Sequence, residues 1–221
     1  MAVDIDGVNS TISTDKLIPQ SGTALQIGES GDTVTLVGSA VGFGGGSDCV
    51  RIATTTLASS ASSITMDNSF SATYTYYMIR CMMVADGNIY PRFRLLDSSG
   101  AELTASNWSW AGTASYRNAS NSVGVGTCTG WGSDFLASGE MMSSDANMKH
   151  MWNIDVADPF GSGFDCSVHG FSNLFDGTYW RNSTMEGAYT THATYRGFKI
   201  YVSSGNLLAG TEVSVYGLTN S

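Results

Sequence analysis

Three histidines, nineteen carboxylates and four cysteines are the groups of this 221-residue chain that could hold a metal, move a proton or attack a carbonyl. A metal centre or acid–base pair on His150, His169 and His192 needs at least two of them to converge with carboxylates. His150 alternates in step with Trp152, Ile154 and Val156, so it reads as a core or interface histidine. Asp4-x-Asp6-Gly7 opens like a calcium loop, but of the further oxygen ligands such a loop requires only Asn9 follows nearby. Asp155, Asp158 and Asp165 surround Pro159-Phe-Gly-Ser-Gly163 and read as solvated loop carboxylates. Cys49, Cys81, Cys128 and Cys166 form no C-x-x-C pair, which argues against a zinc ribbon or a thioredoxin-like site and for buried reduced thiols. The chain has no G-x-S-x-G elbow, no phosphate-binding G-x-x-x-x-G-K and no H-E-x-x-H, and nothing singles out two carboxylates for glycoside hydrolysis. No catalytic residue, no metal ligand and no cofactor is therefore assigned, and the expectation is a protein without enzymatic chemistry.

Aromatic residues mixed with small polar ones remain as recognition candidates. Asn107-Trp-Ser-Trp110, Thr178-Tyr-Trp-Arg-Asn182 and Tyr189-Thr-Thr-His192 read as loops. Trp108, Trp110, Tyr179 and Trp180 are their candidate ligand-facing residues, suited to stacking on sugar faces or to a protein interface. Burial in a sandwich core is the alternative for each.

The elements that would position these groups are strands. Charged residues make up only 13% of the chain, about half the usual share of roughly 25%, and the only lysines are Lys16, Lys149 and Lys199. Glycine is frequent at 26 and proline scarce at 3, a composition of short strands and turns. The net charge of −9, with ten basic residues scattered along the chain, argues against nucleic acid and anionic membranes as partners. The acidic start Met1–Gly7 leads into no apolar run, and no apolar stretch approaches the length that crosses a bilayer, so neither a secretory signal nor membrane insertion is expected.

Aromatic content divides the chain. Residues 1–69 hold one aromatic, Phe43, and the other 23 lie in 70–221. Residues 1–46 cannot close a core alone and read as an extended N-terminal arm that docks or trimerises. Its strand pieces, Ala24–Gly28, Asp32–Gly38 and Ala40–Phe43, offer Leu25, Ile27, Val34, Leu36, Val41 and Phe43 as subunit or capsid contacts, and Gly42-Phe-Gly-Gly-Gly46 reads as a joint. Residues 47–221 read as a β-sandwich or jelly roll of eight to ten strands. Ser69–Ala85 is apolar on both parities, with only Arg80 interrupting, so it should be covered on both faces, one of them by a neighbouring subunit. Ile89–Leu96, Asp97–Gly100 and Ala101–Thr104 form a hairpin, and Met148–Val156 a strand that Pro159 ends. Arg196–Val202 and Leu207–Leu218 make two strands about the turn Ser203–Asn206, while Trp131–Met142 could hold a short helix.

Two stretches carry a resemblance. Gln26–Phe43 resembles the N-terminal stretches of virion structural proteins of tailed bacteriophages, marine ones in particular, which run as a Gly-Asp-Thr strand, then Gly-Ser-Ala and a Gly-Phe-Gly joint. Gly197–Leu218 is similar to the closing hairpin of β-sandwich domains in the same proteins. Together these cover about 40 residues of the chain. The resemblance implies a homotrimer on a virion, made in the host cytoplasm, with no catalytic residues to carry over. Its partners would be its own copies and the major capsid protein or tail or portal components. The reading that follows is a surface structural protein attached through its arm and decorating or cementing the capsid. The alternative is a tail-fibre or spike module that recognises host surface glycans through the loop aromatics.

Overall fold

A computed structural model of the chain describes residues 49–117, 123–138, 141–145, 147–161, 163, 165–175 and 178–218. The arm assigned to 1–46, with its six candidate contact residues, lies outside them. Twelve strands follow in order: β1 (Cys49–Thr56), β2 (Ser63–Met66), β3 (Tyr76–Met83), β4 (Pro91–Asp97), β5 (Trp108–Arg117), β6 (Val123–Ser133), β7 (Leu136–Ala137), β8 (His150–Ala157), β9 (Cys166–Phe175), β10 (Trp180–Tyr189), β11 (Tyr195–Val202) and β12 (Glu212–Leu218). Among the described residues every regular element is a strand, so the chain is all-β as its composition predicts.

The strands form an eight-stranded sheet, β1-β12-β3-β8-β9-β10-β5-β6, and a four-stranded sheet, β2-β11-β4-β7. Setting aside the hairpins β5–β6 and β9–β10, what remains is β1-β12-β3-β8 facing β2-β11-β4-β7. This pairing is that of a jelly roll, in which the chain crosses between sheets at nearly every connection. The two hairpins add four strands to one side of one sheet. The large sheet is therefore twice as wide as the sheet that faces it.

The core sits between the sheets. From the large sheet, Tyr77, Ile79, Cys81 and Met83 of β3, Trp152, Ile154 and Val156 of β8, and Val213 and Val215 of β12 are buried. They meet Ile64 and Met66 of β2, Phe93 and Leu95 of β4, and Phe198 and Ile200 of β11. Phe93 and Phe198 stack with ring centroids 5.6 Å apart, and Phe70 lies 5.6 Å from Phe198 on its other side. The outward face of the small sheet is sealed by charge: Arg94 pairs with Glu102 at 2.9 Å and with Asp134, and Lys199 pairs with the same Glu102.

Three sequence-based expectations are corrected. The strands number twelve rather than eight to ten, because β5 and β6 are built from Gly, Ala, Ser and Thr and carry little apolar periodicity. Trp131–Met142 is not a helix: residues 131–133 finish β6, and Leu136–Ala137 is β7. Finally, β11 and β12 are adjacent in sequence but do not pair. β11 lies between β2 and β4, β12 lies between β1 and β3, and the Ser203–Asn206 turn carries the chain from one sheet to the other. The hairpin expected after β4 is present in short form, with Leu96 bridged to Glu102 and the Asp97 N–H donating to the Ala101 carbonyl at 2.9 Å.

Replacing Phe198 by alanine should cost about 3–5 kcal/mol, because the cavity lies where the two sheets meet. Urea unfolding followed by tryptophan fluorescence measures this. The exposed Phe171→Ala serves as the comparison, with an expected change within about 0.5 kcal/mol.

Candidate binding face

Residues of like parity across the large sheet define its two faces. The inner face is closed even where the small sheet does not reach, because the aromatics of β5 lie over the glycines of β6. Trp110 is in register with Gly130, and a methyl group at Gly130 would come within 2.2 Å of the indole Nε1. Tyr116 is in register with Gly124, where an added Cβ would meet the ring at 2.4 Å. The Val123-Gly-Val-Gly repeat thus has a cause. Gly124 and Gly130 leave room for rings on the inner side, Gly126 faces open space there, and the odd-numbered residues Val123, Val125, Thr127 and Thr129 point outward.

The outer face has no second layer among the described residues. On β3, Tyr76, Met78 and Met82 are half-buried and Arg80 is exposed, which is the second apolar parity noted in the sequence. On β9 and β10 the outward residues run in facing pairs: Ser167 with Ala188, His169 with Glu186, Phe171 with Thr184, Asn173 with Asn182, and Phe175 with Trp180. Asp155 of β8 stands on the other side of His169 in register. A row Asp155–His169–Glu186 therefore crosses three strands, with the His169 Nδ1 3.8 Å from an Asp155 oxygen. Tyr76 sits beside Asp155, and partial burial together with that carboxylate raises the pKa of its hydroxyl.

Four adjoining depressions cover this face, with volumes of about 210 to 450 Å³. One is lined by Met78, Arg80, Asn153, Asp155, His169 and Phe171. The next shares Asp155 and His169 and adds Tyr76, Ser167 and Glu186. A third begins at Glu186 and runs over Thr113, Thr127, Thr129 and Thr184. The fourth shares Thr113 and Thr184 and returns to Phe171 past Asn182 and Val125. The floor is made of small side chains, and Phe171, 36% exposed, rises among them.

The four loop aromatics are distributed differently from the sequence reading. Trp108 is not in a loop and faces no ligand. It is the first residue of β5, fully buried between Phe93 at 5.9 Å and Tyr189 at 5.3 Å. Trp110 is on the same strand and the same inward parity, half-buried over Gly130 and Gly187, with its indole N–H donating to Ser133 Oγ at 3.2 Å. Tyr179 is half-buried just before β10. Trp180 is 49% exposed on the outward parity of β10, packed against Phe175 at 5.4 Å. Phe171 and Glu186 were not singled out in the sequence, His169 was weighed there only as a metal or acid–base candidate, and Asp155, read as a solvated loop carboxylate, stands on β8. The signal that could have found them is the period-two alternation of β9, Cys-Ser-Val-His-Gly-Phe-Ser-Asn-Leu-Phe, whose even-spaced partners are core residues.

The groups with chemical potential lie apart. His150 is buried in the core side of β8, where its Nδ1 accepts the Phe175 N–H at 3.2 Å. His192 pairs with Asp165 at 3.0 Å, and His169 stands 3.8 Å from Asp155. No group of three His, Cys, Asp or Glu among the described residues is placed to hold a metal ion. Burial pushes the Cys81 and Cys166 thiols well above their usual range, so both are poor nucleophiles. No helix of the described residues is long and apolar enough to cross a membrane.

No protein-family model matches the chain, and neither does any curated protein or solved structure.

Burial lowers the pKa of His150 below its ordinary 6.5, so the folded state holds this imidazole neutral. The unfolded state then binds more protons below that value, and stability should fall as pH drops beneath about 6.5. The steepest contribution of one such group is about 1.4 kcal/mol per pH unit. Urea midpoints of the wild type and His150→Asn between pH 7.5 and 5 measure the effect, and the pH dependence should be shallower in the variant.

Proposed function

We propose that the chain is a self-associating structural protein of a virion surface, of the tailed-bacteriophage kind that its two end segments resemble, and that it acts by being displayed in copies rather than by turning over a substrate. The observation that carries this reading is the outer edge of β6, which no strand pairs with among the described residues. That strand is eleven residues long, ends the large sheet, and contains no charged residue and no proline. Val123 and Val125 on it are 74% and 72% exposed, the highest values among the large apolar side chains described. A long edge with exposed apolar residues presents a row of backbone donors and acceptors that invites another chain; proteins that stay monomeric blunt such edges with charge, proline or a bulge, and β6 has only a register irregularity at its end, between Trp131 and Ser133. The opposite treatment is visible on the small sheet, whose outward face carries Arg94, Lys199, Glu102 and Asp134 in a paired lattice.

In this reading each copy buries its β6 edge against a neighbour. In a ring of three copies, the number the resemblance implies, the contact is heterologous, so β6 of one copy meets a different surface of the next. The arm at 1–46 attaches the assembly to the major capsid protein or to tail or portal components, which is the decorating or cementing role. Glycan recognition on a fibre is the second reading, favoured by the outward row of polar and aromatic residues on β9 and β10.

Light scattering coupled to size exclusion tests the first reading. The wild-type chain should run at three times its 23.3 kDa mass, and Val125→Lys, which places a charge on the exposed edge without touching the core, should shift the population toward single chains. A wild-type species at the single-chain mass across the micromolar range would end the proposal.

A further inference from the structure

We infer that the outer face of the eight-stranded sheet is a binding trough for a neutral oligosaccharide, laid across β3, β8, β9, β10 and β5. This rests on the second reading above, glycan recognition, for which it names the site and the class of sugar, and it does not depend on the self-association. The four depressions are continuous, joined successively by Asp155 with His169, by Glu186, by Thr113 with Thr184, and by Phe171. A chain of linked rings matches such a series better than one compact ligand does.

The lining suits sugar chemistry. Each sugar hydroxyl both donates and accepts. Asp155 and Glu186 offer carboxylate acceptors, Arg80 offers guanidinium donors, and the amides of Asn153 and Asn182 and the hydroxyls of Thr113 and Thr184 do both. The Asn153 amide oxygen is covered and has no hydrogen-bond partner among the described residues, so a shift of this side chain would be needed for it to reach a ligand. Phe171 and Tyr76 supply ring faces for the C–H face of a pyranose, and Trp180 extends this aromatic series at the far end of β10. Small residues between them, Ala157, Ser167, Gly187 and Ala111, leave the width for a ring to lie down.

Charge decides the class of sugar. The chain carries −9, and two carboxylates stand in the row that crosses the trough. A uronic or sulfated polymer would be repelled, whereas neutral sugars would be held by directed hydrogen bonds and stacking.

The test uses the full-length protein on an array of hexasaccharides of glucose, mannose and N-acetylglucosamine, with a heparin hexasaccharide as the polyanion. Any neutral probe bound is followed by calorimetry with Phe171→Ala and with the double variant Asp155→Asn/Glu186→Gln. All three residues are on the outer face, and unchanged thermal midpoints confirm folding. The expected result is binding of at least one neutral probe, no preference for heparin, and about tenfold or greater weakening by each variant with the oligomer mass unchanged. Failure of every neutral probe, tighter binding of heparin, or affinity indifferent to both variants overturns the proposal. So does a loss of oligomer mass in the variants without any effect on sugar binding, which would assign the face to copy–copy contact. Val123→Lys, on the same exposed edge but outside the lining of all four depressions, separates the two ideas, since it should alter mass and leave sugar affinity intact.

Discussion

The width of the large sheet is the constraint on which the rest of the structure depends. A jelly roll balances two sheets of equal width, each covering one face of the other. Here the hairpins β9–β10 and β5–β6 continue one sheet for four more strands, and the partner sheet does not follow. Every strand added on that side must find cover for its inner face, tolerance for its outer face, and an end for its hydrogen-bond ladder. The inner face is solved within the chain, the outer face is made mostly of small and polar side chains, and the ladder stops at β6 with an apolar edge.

The inner-face solution explains a composition that looks unpromising. A run such as Val-Gly-Val-Gly-Thr-Cys-Thr-Gly weakens a strand, since glycine loses more entropy on ordering and contributes nothing to packing. In register with Trp110 and Tyr116, however, Gly130 and Gly124 are sites where any side chain would collide with a ring. The rings occupy the space a facing sheet would otherwise fill. The same region uses hydroxyls where larger groups would not fit: Ser172 and Ser183 are buried and share the Ser138 carbonyl, the latter at 2.5 Å.

How much of this was legible in the sequence follows from what periodicity encodes. The alternation in β8 and the two apolar parities of β3 were plain, because buried side chains there are large and their neighbours differ in polarity. The all-β class and the sandwich followed from these strands and from the scarcity of charge. The pairing of β11 and β12 with different sheets was not legible, because a short turn between two strands reads the same whether it closes a hairpin or crosses a sandwich. Trp108 misled for a related reason. Trp-Ser-Trp among Asn and Thr looks like a loop, yet parity on β5 sends both indoles inward to a core built partly by β4 and β10. The outer row Asp155–His169–Glu186 is contributed by three strands separated in sequence, so only the register of the sheet could assemble it.

The central claim is that the β6 edge is satisfied by another copy. Hydrogen exchange of the β6 amides, read by mass spectrometry at high and at low protein concentration, tests it most directly. Peptides spanning 123–133 should be protected in the concentrated sample and exchange faster on dilution, while β3 and β8 stay protected throughout. Fast exchange of β6 at every concentration, with the rest of the sheet intact, would contradict the account.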